Sequence, residues 1–236
     1  MHSHSQRSSS PNPPPGIPSH GSVRHPIRRL LDCFEVLLFL GFTAWFIWRL
    51  EFTHRNTWLI FPAWFAASFL LHRDTPKTIG WRADNLRSSS LRAAPVFAIF
   101  IVTVTLTGLA IQGLNRPAFH LLSMRRLVDY FAFCLLQQVA LSSFLVNRLL
   151  FVFSSRHVVS LTAGLVFAAL HWPNPVLVPL TFIGGTAMAF LFATDRNIIP
   201  LAVGQTILGT LVWWAFPIAW HHALRVGPAY YWPYIP

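Results

Sequence analysis

Charge is what this chain has least of. Only 11% of its 236 residues are charged, and Asp and Glu together number seven, where soluble domains carry roughly a quarter charged residues. That shortage, set against 54% hydrophobic residues in long runs, excludes an ordinary soluble domain and indicates a polytopic membrane protein built as one helical bundle. Cysteine is almost absent as well. Cys33 and Cys134 both fall inside apolar stretches, which argues against a disulfide framework or a cysteine metal site and for small buried hydrophobes. A cleavable signal peptide is not evident, because the first apolar run follows a long polar tail and no small-residue cleavage site follows it. The formal net charge of +11 does not indicate nucleic acid. The basic residues lie between apolar runs, where they set membrane topology.

The tail comes first. Residues 1–29 are rich in Pro, Ser and His and show no apolar period, so they are expected to form a disordered basic tail. His2, His4, His20 and His25 read as solvated residues rather than a metal site. Apolar spans are then expected over about 30–50, 58–71, 94–114, 127–153, 158–172, 176–194 and 198–216. Pro173 and Pro175 close the fifth span. The stretch from Asn115 to Leu127 reads as an interfacial segment ending in Arg125 and Arg126. The aromatic, Pro-rich end reads as an interfacial belt or a short eighth helix. The fold class is therefore an all-α polytopic membrane bundle of seven or eight transmembrane helices over 30–236. Seven spans put twelve Lys and Arg residues on the side of the tail and six on the other. This excess predicts a cytoplasmic N-terminus, in a plasma (inner) membrane.

Three polar interruptions break the apolar sequence of the second half. They are Gln137-Gln138 within FCLLQQVALSSFLVNRLL, Phe167 to His171 within GLVFAALHWPNP, and Gln205 within NIIPLAVGQTILGTLVWW. Amides and an imidazole at such depth need partners and are expected to meet in the interior. Their order resembles the CPBP family of intramembrane proteases, also called Abi, or CAAX-protease and bacteriocin-processing. That family's first motif, Glu-Glu-x-x-x-Arg, is matched by Gln137-Gln138-Val139-Ala140-Leu141-Ser142, followed by an apolar run to Arg148-Leu149. The second, Phe-x-x-x-His with Pro-Asn after it, is matched in full by Phe167 to Asn174. The third, His-x-x-x-Asn, has Gln205 in place of His and Gly209 in place of Asn, after Asn197-Ile198-Ile199-Pro200 and a Gly184-Gly185 helix. The resemblance spans about 127–214.

The resemblance implies an intramembrane endopeptidase fold, with Gln137, Gln138, His171 and Gln205 at the catalytic positions and Phe167, Ser142 and Gly209 at substrate-binding ones. The residues speak against the chemistry. A general base must accept a proton near working pH, and a glutamine amide does not. One His with amides is also a poor zinc set, so no metal and no cofactor are expected. Taken without the resemblance, the glutamines read as interhelical hydrogen-bond glue, His171 as an interfacial histidine or a site residue, and Gly184 to Ala189 as a packing surface. His221-His222 reads as interfacial. Three amide-for-ionisable replacements together read as a neutralised site, since an amide keeps hydrogen bonds without the cost of a buried charge. The expected role is non-catalytic binding of a membrane-associated peptide or protein, with the lipid bilayer as surroundings and no nucleic acid. The alternatives are an active endopeptidase with His171 as base and a small transporter. The transporter is disfavoured because the later spans carry charge only at the apparent edge positions Asp129, Arg148 and Asp195.

Overall fold

The computed structural model describes residues 26–54, 56–113 and 124–232, and every structural statement below refers to these. The tail histidines, the last residue of the expected third span, and residues 115–123 of the expected interfacial segment lie outside them. The described residues form helices and turns with no strand. We number the long helices α1 (Pro26–Trp45), α2 (Ile60–Leu71), α3 (Leu86–Gln112), α4 (Met124–Gln138), α5 (Arg156–Ala169), α6 (Leu177–Asp195) and α7 (Ile199–Ala215). α1 runs on through a π-helical turn, Phe46–Leu50, to Thr53, and α4 runs on through a longer one, Val139–Val146, and then Asn147–Val152.

Four helices are long and apolar enough to cross a membrane: Arg29–Thr53, Leu86–Gln112, Arg125–Val152 and Leu177–Asp195. The shorter apolar helices Thr57–Leu71, Arg156–Ala169 and Ile199–Ala215 complete the bundle. Large apolar side chains face outward on several of them, including Leu37, Leu70, Ile99, Leu106, Leu161 and Leu165, each more than half exposed. A surface this apolar suits hydrocarbon and not water. The all-α membrane bundle expected from the sequence is thus the observed architecture.

One boundary and one burial differ from expectation. α3 begins at Leu86, not near residue 94, because Ser89 and Ala93 face inward and are buried. A segment that reads as a basic loop is the first part of a helix, mostly exposed, with Ser89 and Ala93 turned inward. After α7 the described residues form single turns, Ile218–His221, His222–Leu224 and Gly227–Tyr231, within the expected choice of an interfacial belt or a short eighth helix. Within them His221 is fully buried, against the expectation of an interfacial residue.

Loops gather at two ends of the bundle, as alternating spans require. At one end Asn197 donates to the Arg82 carbonyl and to Asn85 Oδ1, both at 2.9 Å, and Ile198 N donates to Gly80 O. At the other, buried Asn174 donates to the His221 and Arg225 carbonyls at 2.8 and 2.9 Å. Its Oδ1 accepts from Val176 N and Leu177 N and so satisfies orphan donors at the start of α6. α5 and α6 pack closely because Gly164 has no side chain. A Cβ there would lie 2.0 Å from Thr186 Oγ1 and 2.8 Å from the Phe182 carbonyl, so the helices approach as small-residue membrane pairs do. Of the two neighbouring glycines on α6, Gly185 faces Phe167 and α5, while a Cβ on Gly184 would meet nothing.

Candidate functional site

α3, α4, α6 and α7 enclose a cavity of about 890 Å³, closed at one side by Phe167 and His171 at the end of α5. On α4 its wall is the face formed by Arg126, Tyr130, Phe133 and Gln137, spaced by four, three and four residues as one helical face demands. α6 contributes Gly184, Ala187, Met188 and Leu191, and α7 contributes Gln205, Leu208, Gly209 and Val212. Volume and apolar lining with a few polar groups are those of a small-molecule or peptide-side-chain site.

The glutamines meet. Ser142 Oγ donates to Gln138 Oε1 at 2.8 Å, Gln138 Nε2 donates to Gln205 Oε1 at 2.6 Å, and Gln205 Nε2 donates to Gln137 Oε1 at 2.7 Å. The second hydrogen of Gln138 Nε2 is directed at Met188 Sδ, 3.1 Å away. A thioether sulfur accepts but has no hydrogen to donate, so this contact fixes which end of the Gln138 amide faces α6. The fixed end in turn sets the direction of the whole chain. Gln138 and Ser142 are fully buried and lie behind the cavity wall, whereas Gln137 and Gln205 line it.

His171 lines the same cavity but bonds to none of the glutamines. Its Nδ1 lies 2.6 Å from the Phe167 carbonyl. A carbonyl only accepts, so Nδ1 carries the proton. The Phe167 ring packs edge-on against the imidazole at 4.6 Å between centroids and fixes its plane from the other side. Gly209 has a specific steric partner. A Cβ at this position would lie 1.8 Å from the Tyr130 hydroxyl, so Tyr130 occupies the space that any side chain at 209 would need. The buried Cys134 thiol lies close to both Tyr130 and Thr206. Cys134 is buried and Cys33 partly so, and both are free thiols.

With this geometry in place, comparison with known proteins adds one finding. Residues 124–211 are Rce1-like. They match the family model described as type II CAAX prenyl endopeptidase Rce1-like, and so bear out the resemblance to the CAAX-protease family. No curated protein and no solved structure matches the chain. The Rce1-like stretch holds α4, α5, α6 and most of α7, and thus both glutamines of the first motif, His171, Gln205 and Gly209.

Sequence reasoning missed a second polar centre. Arg148 is not an edge residue as expected but is fully buried. Its Nε donates to Glu35 Oε2 at 3.2 Å, its Nη1 to Asp74 Oδ2 at 2.9 Å and its Nη2 to Ser68 Oγ at 2.7 Å. His72 Nε2 lies 2.9 Å from the same Glu35 oxygen, and its Nδ1 lies 3.6 Å from Asp32 Oδ1. Arg148 is therefore not a loop charge for the topology count, although it stays at the same end of the bundle. Asp32, Glu35 and His72 bring three potential metal-ligand atoms within 4.8 Å of one another. Glu35 Oε2, however, already faces the Arg148 guanidinium, and the group reads as an ion-pair network. The only sequence signal was Asp32 and Glu35 one helical turn apart in an otherwise apolar span, opposite His72-Arg73-Asp74.

Proposed function

We propose that the chain is an integral membrane protein of CAAX-protease ancestry that binds a membrane-associated peptide in its cavity without cleaving it. The observation that carries this reading is the amide chain itself. At the positions that the resemblance assigns to the acid–base machinery, Gln138, Gln205 and Gln137 spend their hydrogen bonds on one another. Among the described residues no carboxylate lines the cavity. Hydrolysis needs a group that takes a proton from water, and amides do not supply it. Glu35 does pack against the Rce1-like stretch, but at Arg148, about 15 Å along the helix from Gln138. A preserved cavity without a carboxylate base is suited to holding a peptide.

The test is cleavage of a membrane-anchored reporter peptide by the reconstituted protein. We expect none above the background of His171→Ala. Gln138→Glu with Gln205→His should not restore it, because a carboxyl group in a neutral cavity stays largely protonated and Ser142 supplies no cation. His171 leaves one specific opening for an active endopeptidase, since its Nε2 is free to act as base. Cleavage by wild type that disappears in His171→Ala would establish that reading instead.

The basic excess places the N-terminus and the loop around Lys77 in the cytoplasm, with the plasma membrane as the setting. Cysteines introduced at Ser3 and at exposed Ser88 should resist impermeant labelling in intact cells. Labelling of either from outside reverses the orientation.

A further inference from the structure

Resting on the reading that the cavity binds rather than cleaves, we infer that what it recognises is an uncharged carboxamide within an apolar peptide, and not a carboxylate terminus. The direction of the amide chain carries this. Because Met188 sulfur can only accept, donation runs from Ser142 through Gln138 and Gln205 to Gln137. The chain therefore ends with the amide nitrogen of Gln137, a donor at the cavity wall. The imidazole has the opposite polarity. With the proton on Nδ1 and given to the Phe167 carbonyl, the neutral ring has its lone pair on Nε2. Among the described residues neither Gln137 Nε2 nor His171 Nε2 has a protein partner.

Three other polar side chains of the lining are occupied elsewhere. Gln112 donates to the Ala215 carbonyl, and Thr181 and Thr210 donate back to their own helices. Beside the amphipathic rings of Tyr130, Trp213 and Trp214, the wall thus presents a neutral amide donor at Gln137 and a neutral acceptor at His171 in a largely apolar chamber. A peptide amide supplies the complement of both: its carbonyl accepts from Gln137, and its N–H donates to His171. A carboxylate has acceptors only. It would set an oxygen against the His171 lone pair and bring a charge into a chamber whose one cation among the described residues, Arg126, sits at an exposed position about 16 Å from Gln137 along α4. The unpaired charge is the larger cost.

The experiment is photo-crosslinking of the purified full chain in nanodiscs. The probe is a short apolar peptide, acetylated and amidated, with a diazirine side chain, and labelled positions are mapped by mass spectrometry. We expect labels on the cavity faces of α4, α6 and α7. Unlabelled blocked peptide should compete about tenfold better than the same peptide with a free C-terminal carboxylate, the worth of one to two net hydrogen bonds. Gln137→Leu and Gln137→Glu both remove the donor and should each weaken cavity labelling by about tenfold, without gain for the carboxylate form. Equal or better competition by the carboxylate peptide overturns the inference, as does labelling confined to lipid-facing residues. Stronger competition by a long-chain fatty amide than by the blocked peptide would identify a lipid as the source and overturn the peptide assignment. The wild-type competition series decides without any variant that fails to fold. Peptide cleavage would instead defeat the underlying reading, and it is seen in the reporter assay, not in this one.

Discussion

Helix α4 and its continuation hold two polar clusters about 15 Å apart, and they solve burial in different ways. Around Gln138 every group is neutral, and an amide chain satisfies itself across α4, α6 and α7. Around Arg148 nearly every group is ionisable, and a fully buried guanidinium is divided among Glu35, Asp74 and Ser68. The neutral cluster sits beside the cavity. The charged one sits near the end of the bundle where the loops gather. A buried charge persists only with partners, and near this end Asp74 comes from the loop after α2 while Glu35 and Ser68 come from α1 and α2. Halfway along the helix no such loop is in reach, and amides give hydrogen bonds with far less desolvation cost. Between the clusters the π-helical stretch Val139–Val146, almost wholly buried from Leu141 onward, allows one helix to serve both.

Breaking the charged cluster should have the largest effect. Arg148→Met leaves Glu35 and Asp74 without their cation, and loss of one partner from a buried pair costs about 3–5 kcal/mol. Thermal unfolding in detergent should show a melting temperature far below wild type. If the variant melts like wild type, the network does not hold α1, α2 and α4 together.

The neutral cluster should be the softer target. Gln138→Leu strands Ser142 Oγ and Gln205 Oε1, at about 1–3 kcal/mol for buried polar groups left unsatisfied. The same melts should place it between wild type and Arg148→Met. A loss equal to that of Arg148→Met would remove the distinction between the clusters.

The cavity wall offers a sharper test, because its cost should be reversible. Gly209→Asn drives a side chain into the Tyr130 hydroxyl, and overpacking of this kind costs about 1–3 kcal/mol. Adding Tyr130→Ala should recover part of that loss, a coupling that a double-mutant cycle measures directly. Purely additive losses would show that Tyr130 does not compete for the space at 209.

The smallest effect belongs to an exposed pair. Arg82 lies 2.5 Å from Asp84, and its hydrogen bond holds the Asp84 carboxyl down at about 2, below the usual 3.8. A carboxyl depressed by folding contributes stability above its unfolded value, and that contribution fades as pH falls from about 4 toward 2. The pair is solvent-exposed and screened, so Asp84→Asn should leave the melting temperature at neutral pH within scatter. A clear drop at neutral pH would move this loop into the class of the Arg148 network.

Much of this protein was legible from its sequence. Scarce charge and long apolar runs determined an all-helical membrane bundle, and six of the seven long helices start within a few residues of expectation, because burial in lipid leaves the backbone few alternatives. The spacing of Gln137-Gln138, Phe167 to His171 and Gln205 was enough to point to one CAAX-protease-like centre. Tertiary structure alone decided how that centre is wired. That Gln205 bonds to both glutamines and not to His171, that Met188 sets the direction of donation, and that Tyr130 fills the space over Gly209 all depend on which helix faces which, and no local pattern encodes it. The same holds for Arg148. Beyond Asn147, its apolar surroundings Leu145, Val146, Leu149 and Leu150 give no hint of an ion pair, and its partners lie 74 or more positions earlier in the chain. Their pairing is a long-range contact, and only the folded bundle brings it about.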